Sequence, residues 1–401
     1  MFHFRAARNT VLIAALIVSP FLVGCPPWPF MVTVPNVVGL TQSAAETAII
    51  TAGLVVGTVT EQFSDTVPAG EVISQDPGAD ESVPRGTAAD LVLSLGPEGG
   101  EGEGEGEQVF FPDPNLRNAI CEELGIPVQQ PIYPWHLASL ATLYAPEAGI
   151  TDLTGLEYCT NLTTLCLQEN SISDLGPLAA LTNLDALFLY DNSISDLGPL
   201  AALTNLTLLS LMGNSISDVG PLAALTSLIA LWLHDNSITD LGPLAALTNL
   251  DELDLHHNSI SDLGPLAALT NLDALFLYDN SISDLGPLAA LTNLMVLELD
   301  SNSISDLGPL AALTNLTHLT LGSNSISDLG PLAGLTNLTR LYLGFNSISD
   351  IGPLLQNPGL GAGDFVDLIW NPLSEQACCL DLVVLLDRGV NVAHDCEYDC
   401  Q

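Results

Sequence analysis

One phrase, LxxLxLxxNxIxDLGPLAALTN, returns every 22 residues from Leu140 onward, and no other property of this chain restricts its fold as much. Its asparagine falls at Asn170, Asn192, Asn214, Asn236, Asn258, Asn280, Asn302, Asn324 and Asn346, and again at Asn371 after a three-residue insertion. A unit of that length cannot bury its apolar side alone, so successive units must stack into a solenoid with one continuous core. Leucines two apart, such as Leu165 and Leu167, point to the same side of a short strand and meet their equivalents in the adjoining coils. The asparagine amide can pair with backbone groups of neighbouring coils and leave no buried orphan. Asp174, Asp196, Asp218, Asp240, Asp262, Asp284, Asp306, Asp328 and Asp350 each stand two residues before a Gly-Pro pair. They are expected to cap 3₁₀ turns, which explains their spacing and identity better than a ladder of calcium ligands does.

The phrase resembles the leucine-rich repeats of the bacterial internalin-like class, over residues 140–373, in eleven units if the degenerate first (140–156) and last (363–373) are counted. The resemblance implies an α/β solenoid with a parallel concave β-sheet and short 3₁₀ turns, and it implies protein recognition, with adhesion as one form of it. The ends of such an array need covers. In the N-terminal cap, residues 109–139, Asp113 can N-cap a helix that starts at Pro114, points Leu116, Ala119, Ile120 and Leu124 one way and ends at Gly125. In the C-terminal cap, residues 374–401, Ser374 can start a second helix through Leu386, closed by Gly389 and followed by a strand-like VNVAH.

Alternation along each strand sends the residues between the leucines to the outer face of the sheet, the concave wall of a solenoid. Those positions vary while the scaffold is almost copied; residues 184–205 and 272–293 are identical, which points to duplication within the gene. The wall is expected to expose Phe188, Tyr190, Trp232, Phe276, Tyr278 and Tyr342 among Glu252, Asp254, Asp273, Glu298 and Asp300. Exposed aromatics of this kind anchor protein partners. His234 and His256 occupy equivalent positions in adjacent coils, with Asp254 and His257 near, an arrangement that a divalent metal could use. Histidines scattered on a surface are commoner, so no metal and no other cofactor is expected. The partner-binding candidates are therefore Phe188, Tyr190, Trp232, His234, Asp254, His256, Phe276, Tyr278, Glu298 and Tyr342.

Ahead of the array stand four shorter pieces. In residues 1–24, Arg5 and Arg8 precede an apolar run over 11–23, too short to span a bilayer. It ends in Leu22-Val23-Gly24-Cys25, which resembles the bacterial lipobox and implies lipidation of Cys25. A tether over 25–33 leads to residues 34–96, read as strand, helix, strand, strand. VPNVVGL suggests the first strand, Ser43-Ala44-Ala45-Glu46 a capping box, and Ala45, Ala48, Ile49 and Ala52 an apolar stripe up to Gly53. Strands are expected over 54–61, 72–75 and 90–95, with a turn at Asp76-Pro77-Gly78. The phrases VPNVVGLTQSAAETAIITAGL, VPAGEVISQDPGADESVPRGT and LVLSLG resemble a PASTA domain, a small α+β module associated with peptidoglycan or muropeptide binding, though many copies act as spacers. Residues 97–108 alternate Glu and Gly with nothing to bury and read as a linker, able to extend at most about 40 Å.

Charge and cysteines exclude several classes of function. The chain carries 47 Asp and Glu against 6 cations, all Arg, for a net charge of −41. Such a surface repels nucleic acid, and without lysine there is no lysine phosphate clamp or Schiff base. No Ser/His/Asp order, phosphate loop, HExxH or paired-carboxylate cleft stands out, so no enzyme is expected. Of eight cysteines, Cys378, Cys379, Cys396 and Cys400 gather in the C-terminal cap as disulfide candidates, which agrees with export. Cys159 sits at a core leucine position, to be buried there or joined to Cys121, and Cys166 is left as an odd thiol. The expectation is an envelope lipoprotein, facing the periplasm or cell surface, that touches the membrane through its lipid alone. It recognises a protein ligand through the wall; the alternative is a peptidoglycan-associated sensor or spacer acting through the PASTA-like domain.

Overall fold

The computed structural model describes residues 31–96 and 107–396. The chain divides into two compact units between Gly104 and Glu105. Cys25 and the export signal, most of the Glu/Gly linker, and Cys400 lie outside the described residues. No helix among the described residues is long and apolar enough to cross a membrane.

In the first unit a helix over Gln42–Thr51 packs Ala45 and Ile49 against the strands Val55–Gln62, Val72–Asp76 and Ala88–Ser94. The long strands form one sheet in which Ala88–Ser94 is central, parallel to Val55–Gln62 and antiparallel to Val72–Asp76. Two local readings are corrected. The first strand is Met31–Thr33, paired with Ser82–Pro84, and VPNVVGL is instead a turn in which the N–H of Val37 donates to Gln75 Oε1 at 2.7 Å. The capping box does not form: the helix starts at Gln42 after Thr41, without a side-chain cap, and Glu46 accepts from Gln42 Nε2 at 2.9 Å. Starting one residue before Ser43 puts that serine inside the first turn, where its carbonyl accepts from Thr47 Oγ1 at 2.8 Å. Gly53 ends the helix at a φ of 83°, a left-handed conformation that favours glycine.

The second unit is a single parallel sheet of twelve strands in chain order. Its first eleven run from Thr142–Tyr144 to Phe365–Asp367, and the twelfth is Asn391–Ala393, the strand-like segment of the C-terminal cap. Each strand pairs with its equivalent one repeat away, as in Leu231 with Leu253 and Trp232 with Asp254. Sequential register of this kind follows from the period: a slip of one residue would turn a column of leucines, all at or near zero exposure, toward water. Burial of each such side chain contributes roughly 1.5–3 kcal/mol relative to exposure.

The asparagines bind the coils together. Asn236 Oδ1 accepts from the N–H of Ile216 at 2.9 Å, while its Nδ2 donates to the carbonyls of Leu211 and Leu233, both at 3.0 Å. One side chain thereby satisfies its own coil and the preceding one. The aspartates cap as expected: Asp240 Oδ1 accepts from the N–H of Gly242 at 2.8 Å at the start of the 3₁₀ turn Gly242–Ala246. A second asparagine row does similar work unexpected from sequence, with Asn249 Nδ2 donating to the carbonyl of Thr226 at 2.9 Å.

Both ends are covered. Asp113 Oδ1 accepts from the N–H groups of Asn115 and Leu116 at 2.8 and 3.3 Å, starting the helix Pro114–Leu124. Its Oδ2 accepts from the N–H of Thr151 at 2.7 Å, so one carboxylate caps the helix and ties it to the first coil. At the other end, Ser374 Oγ accepts from the N–H of Ala377, but the helix is not uniform: Ala377–Asp381 is a π-helical turn that runs into the α-helix Leu382–Asp387. Within it Cys378 is joined to Cys396, and Cys379 is disulfide-bonded as well. Cys121, Cys159 and Cys166 are free thiols; the first two are buried, so burial rather than a Cys121–Cys159 bridge explains Cys159.

Candidate functional site on the outer face of the sheet

Every strand presents its middle residue to the core and the residues on either side of it to the outer face. The phrase LxLxxN adds one more outward position, the residue immediately before each asparagine, and there the backbone turns into the left-handed region at Glu169, Asp191, Gly213, Asp235, His257, Asp279, Ser301, Ser323, Phe345 and Trp370, as it does at Glu147 before Ala148 in the degenerate first unit. The outer face thus carries a further column that the sequence reading did not count. The available signal was the position directly before the repeat asparagine.

On this face the wall aromatics are not freely exposed, as a reading by alternation alone expects. Phe188, Tyr190, Trp232, Phe276, Tyr278 and Tyr342 are half-buried, because strands 4.7–4.9 Å apart bring side chains of one column into contact. The rings of His234 and His256 stack at 4.0 Å and 14°, and those of His256 and Tyr278 repeat the same geometry. Trp232 Nε1 donates to Glu252 Oε1 at 2.8 Å. Asp254 and His256 are buried, with Asp254 Oδ1 2.5 Å from His256 Nδ1 and Asp254 Oδ2 3.9 Å from His234 Nε2. Asp235 Oδ2 lies 2.9 Å from His234 Nδ1, and Asp279 Oδ2 lies 3.4 Å from His257 Nδ1. Asp235 and Asp279 belong to the uncounted column.

The fold therefore brings Trp232, His234, Asp254, His256, Tyr278 and Glu298 into one patch. Phe188 and Tyr190 stand two coils to one side of Trp232, beyond Ser210 and Met212, and Tyr342 stands two coils past Glu298, beyond Thr320. Electrostatics follow the crowding. Burial, then the charges of Asp254 and Glu298, push the Tyr278 hydroxyl up to about 12. Glu298 is raised by burial and then by Asp300 and Asp254, and Asp300 is raised chiefly by burial. Glu298 and Asp300 therefore hold their protons more tightly than in water.

Donor atoms of His234, Asp235 and His256 lie within 4.8 Å of one another, a set that a divalent cation could use. The imidazoles, however, stack with centroids 4.0 Å apart and planes 14° from parallel, so their nitrogen lone pairs lie in two nearly parallel planes. An ion shared between them would sit outside both ring planes, so this arrangement is not preformed for coordination. Its chemistry is that of contact: flat, partly desolvated rings bordered by carboxylates, without an enclosed cleft around a nucleophile.

Comparison with known proteins agrees with this geometry. The PASTA domain model matches residues 32–95, and the leucine-rich repeat model matches successive pairs of repeats over 160–268 and again over 314–356. A solved internalin (inlF) from Listeria monocytogenes is 33% identical with a TM-score of 0.62, and the alignment covers 71% of this chain and 91% of that one. A solved internalin C2 (inlC2) from the same organism is 41% identical with a TM-score of 0.52, covering 54% of this chain and 98% of that one. A probable serine/threonine-protein kinase of Clostridium acetobutylicum is 47% identical over 66 residues, which is 16% of this chain and 10% of the kinase. The chain thus spans about a tenth of that curated relative.

Proposed function

Because the chain belongs to the internalin-like leucine-rich repeat family through its array and carries a PASTA domain ahead of it, we propose that it is an exported, lipid-anchored interaction protein that binds a protein partner through the outer face of its sheet. A leucine-rich repeat module of this kind is a protein-interaction scaffold; the face, the anchor and the envelope setting are the finer reading. One observation carries it: the stacked column His234, His256 and Tyr278 beside Trp232 lies on the one surface whose residues differ between otherwise copied coils. The scaffold has no packing use for these rings, because its core is complete beneath them in an unbroken leucine column. Aromatic groups already held in place lose little freedom when a partner covers them.

Anchoring rests on the Leu22-Val23-Gly24-Cys25 signature, with Cys25 as the acylated residue and the Glu/Gly linker holding the array away from the bilayer. The test is recovery of a partner from envelope extracts with the full chain, followed by repetition with Trp232→Ala. A partner retained equally by both proteins removes the outer face from the reading. A second reading, peptidoglycan association through residues 32–95, is favoured by the PASTA match itself. Retention of the full chain on purified peptidoglycan, lost when that domain is deleted, would support it.

A further inference from the structure

Two successive coils near the C-terminal end of the same face carry glycine where earlier coils carry Tyr190, Met212, His234, His256, Tyr278 and Asp300. At Gly322 and Gly344 the missing side chains leave a pocket of about 310 Å³ walled by Asp300, His318, Tyr342, Phe345 and Asp367. Both carboxylates turn toward the vacated space. A β-carbon added to Gly322 would lie 2.8 Å from Asp300 Oδ1, and one added to Gly344 would lie 2.9 Å from Asp367 Oδ2. Asp300 is held there by the Thr320 hydroxyl and by the N–H of Gly322 at 2.7 Å, and Asp367 by the N–H of Ile369 at 3.0 Å. Neither forms an ion pair among the described residues, although Arg340 is on the same face, two residues before Tyr342 and exposed.

A separate observation concerns the rim. Phe345 and Trp370 have φ of 57° and 59°, at the position where preceding coils use Glu, Asp, Gly, His or Ser. Bulky side chains are disfavoured in that backbone region. Burial does not compensate here, since Phe345 is 58% and Trp370 63% exposed, with their rings stacked on each other at 5.8 Å. Of the two, Phe345 lines the pocket while Trp370 lies beside the C-terminal cap and stacks on Phe345 from outside, so Phe345 is the exposed ring that a ligand in the pocket would cover.

We propose that this pocket receives the guanidinium of an arginine side chain presented by the partner, with Asp300 and Asp367 as acceptors and Tyr342 and Phe345 as aromatic faces. The inference rests on the reading that the outer face binds a protein, and it names the chemistry of one contact. A guanidinium suits the site better than an ammonium because it is planar, weakly hydrated and able to lie against a ring while donating to carboxylates in its plane. Burial raises the Asp300 pKa, so an incoming cation relieves a poorly solvated charge, and His318, lowered by burial and then by Arg340, adds no opposing charge at neutral pH. Arg340, exposed at the start of its strand beside His318, opposes an incoming cation only in part because solvent screens its charge.

The full chain is titrated with N-acetyl-arginine methylamide while the backbone amide resonances of Gly322 and Gly344 are followed by NMR, in parallel with the citrulline and lysine analogues. Saturable shifts are expected with the arginine compound, weaker ones with lysine and none with uncharged citrulline. The isosteric Asp367→Asn should lower the arginine affinity by roughly tenfold at unchanged melting temperature, and Gly344→Ala should lower it by pushing the Asp367 carboxylate aside. Absence of a saturable shift, an equal response to citrulline or lysine, or full affinity in Asp367→Asn overturns the proposal. Once a partner is in hand, binding weakened by Trp232→Ala but untouched by Asp367→Asn sinks the pocket and leaves the face standing. Indifference to both removes the face as well.

Discussion

The indole Nε1 of Trp232 donates a 2.8 Å hydrogen bond to Oε1 of Glu252, a residue of the next coil that pairs in register with Ala230. This diagonal bond holds the largest ring of the wall in one orientation, half-buried beside Asp254 and His256, before any partner arrives. The ordering cost of the central anchor is therefore met within the fold.

Trp232→Ala is accordingly expected to weaken partner binding by about 2 kcal/mol or more, roughly thirtyfold, with the array still cooperatively folded. Phe276→Ala should act in the same direction, whereas Asp240→Asn, whose side chain caps a turn away from this face, should leave affinity unchanged. Isothermal titration of the three variants checks this, and equal affinity in both aromatic variants would refute it.

Within the array, Leu255 is completely buried and Asp251 is exposed. Leu255→Asp places an unpaired charge in the leucine column and should cost more than about 4 kcal/mol, while Asp251→Ala should stay within about 0.5 kcal/mol of the parent. Chemical denaturation of the two variants tests the register directly, since comparable losses would mean that the inward and outward columns are misassigned.

Asn236 supports two coils through bonds to Ile216, Leu211 and Leu233. Asn236→Ala strands those backbone groups and is expected to cost about 3 kcal/mol. Asn249→Ala, at an exposed asparagine with one such bond, should cost about 1 kcal/mol. Melting curves that rank the two variants in the opposite order would remove the asparagine ladder as the stronger tie.

The carboxyls of Glu298 and Asp300, raised mainly by burial, bind a proton more tightly in the folded than in the unfolded chain. Stability from these groups is therefore gained on acidification and lost as pH rises from the ordinary carboxylate range through their raised values. Asp113 has the opposite sign: burial pushes it up, but the N–H groups of Thr151, Asn115, Asp152 and Leu116 outweigh burial and lower it. Its contribution is present above the unfolded pKa and is lost as pH falls through the folded one. Melting temperature should rise as pH falls from neutral toward the ordinary carboxylate range and fall at stronger acidity. Glu298→Gln should flatten the first slope and Asp113→Asn the second.

Cys25→Ser should release the exported protein from membranes into the soluble extracytoplasmic fraction. Fractionation that finds the variant still partitioning with membranes as the parent does would disprove lipid anchoring at that cysteine.

The solenoid was legible in the sequence because a repeat writes its packing into its spacing. Leucines two apart, an asparagine at each turn and an aspartate before each Gly-Pro pair define strand, turn and cap by local geometry alone, and the structure places Leu253, Asn236 and Asp240 accordingly. Alternation likewise told which residues face outward. What it left open is how those residues meet, because the contacts between coils on the outer face join residues 20 to 25 positions apart and depend on side-chain rotation. The stack of His234, His256 and Tyr278, the bond from Trp232 to Glu252 and the pocket at Gly322 and Gly344 arise only once coils lie side by side at the strand spacing. The left-handed residue before each asparagine escaped for a related reason. Its conformation is imposed by the turn that closes each coil, and at Phe345 and Trp370 it overrides what those side chains would adopt on their own.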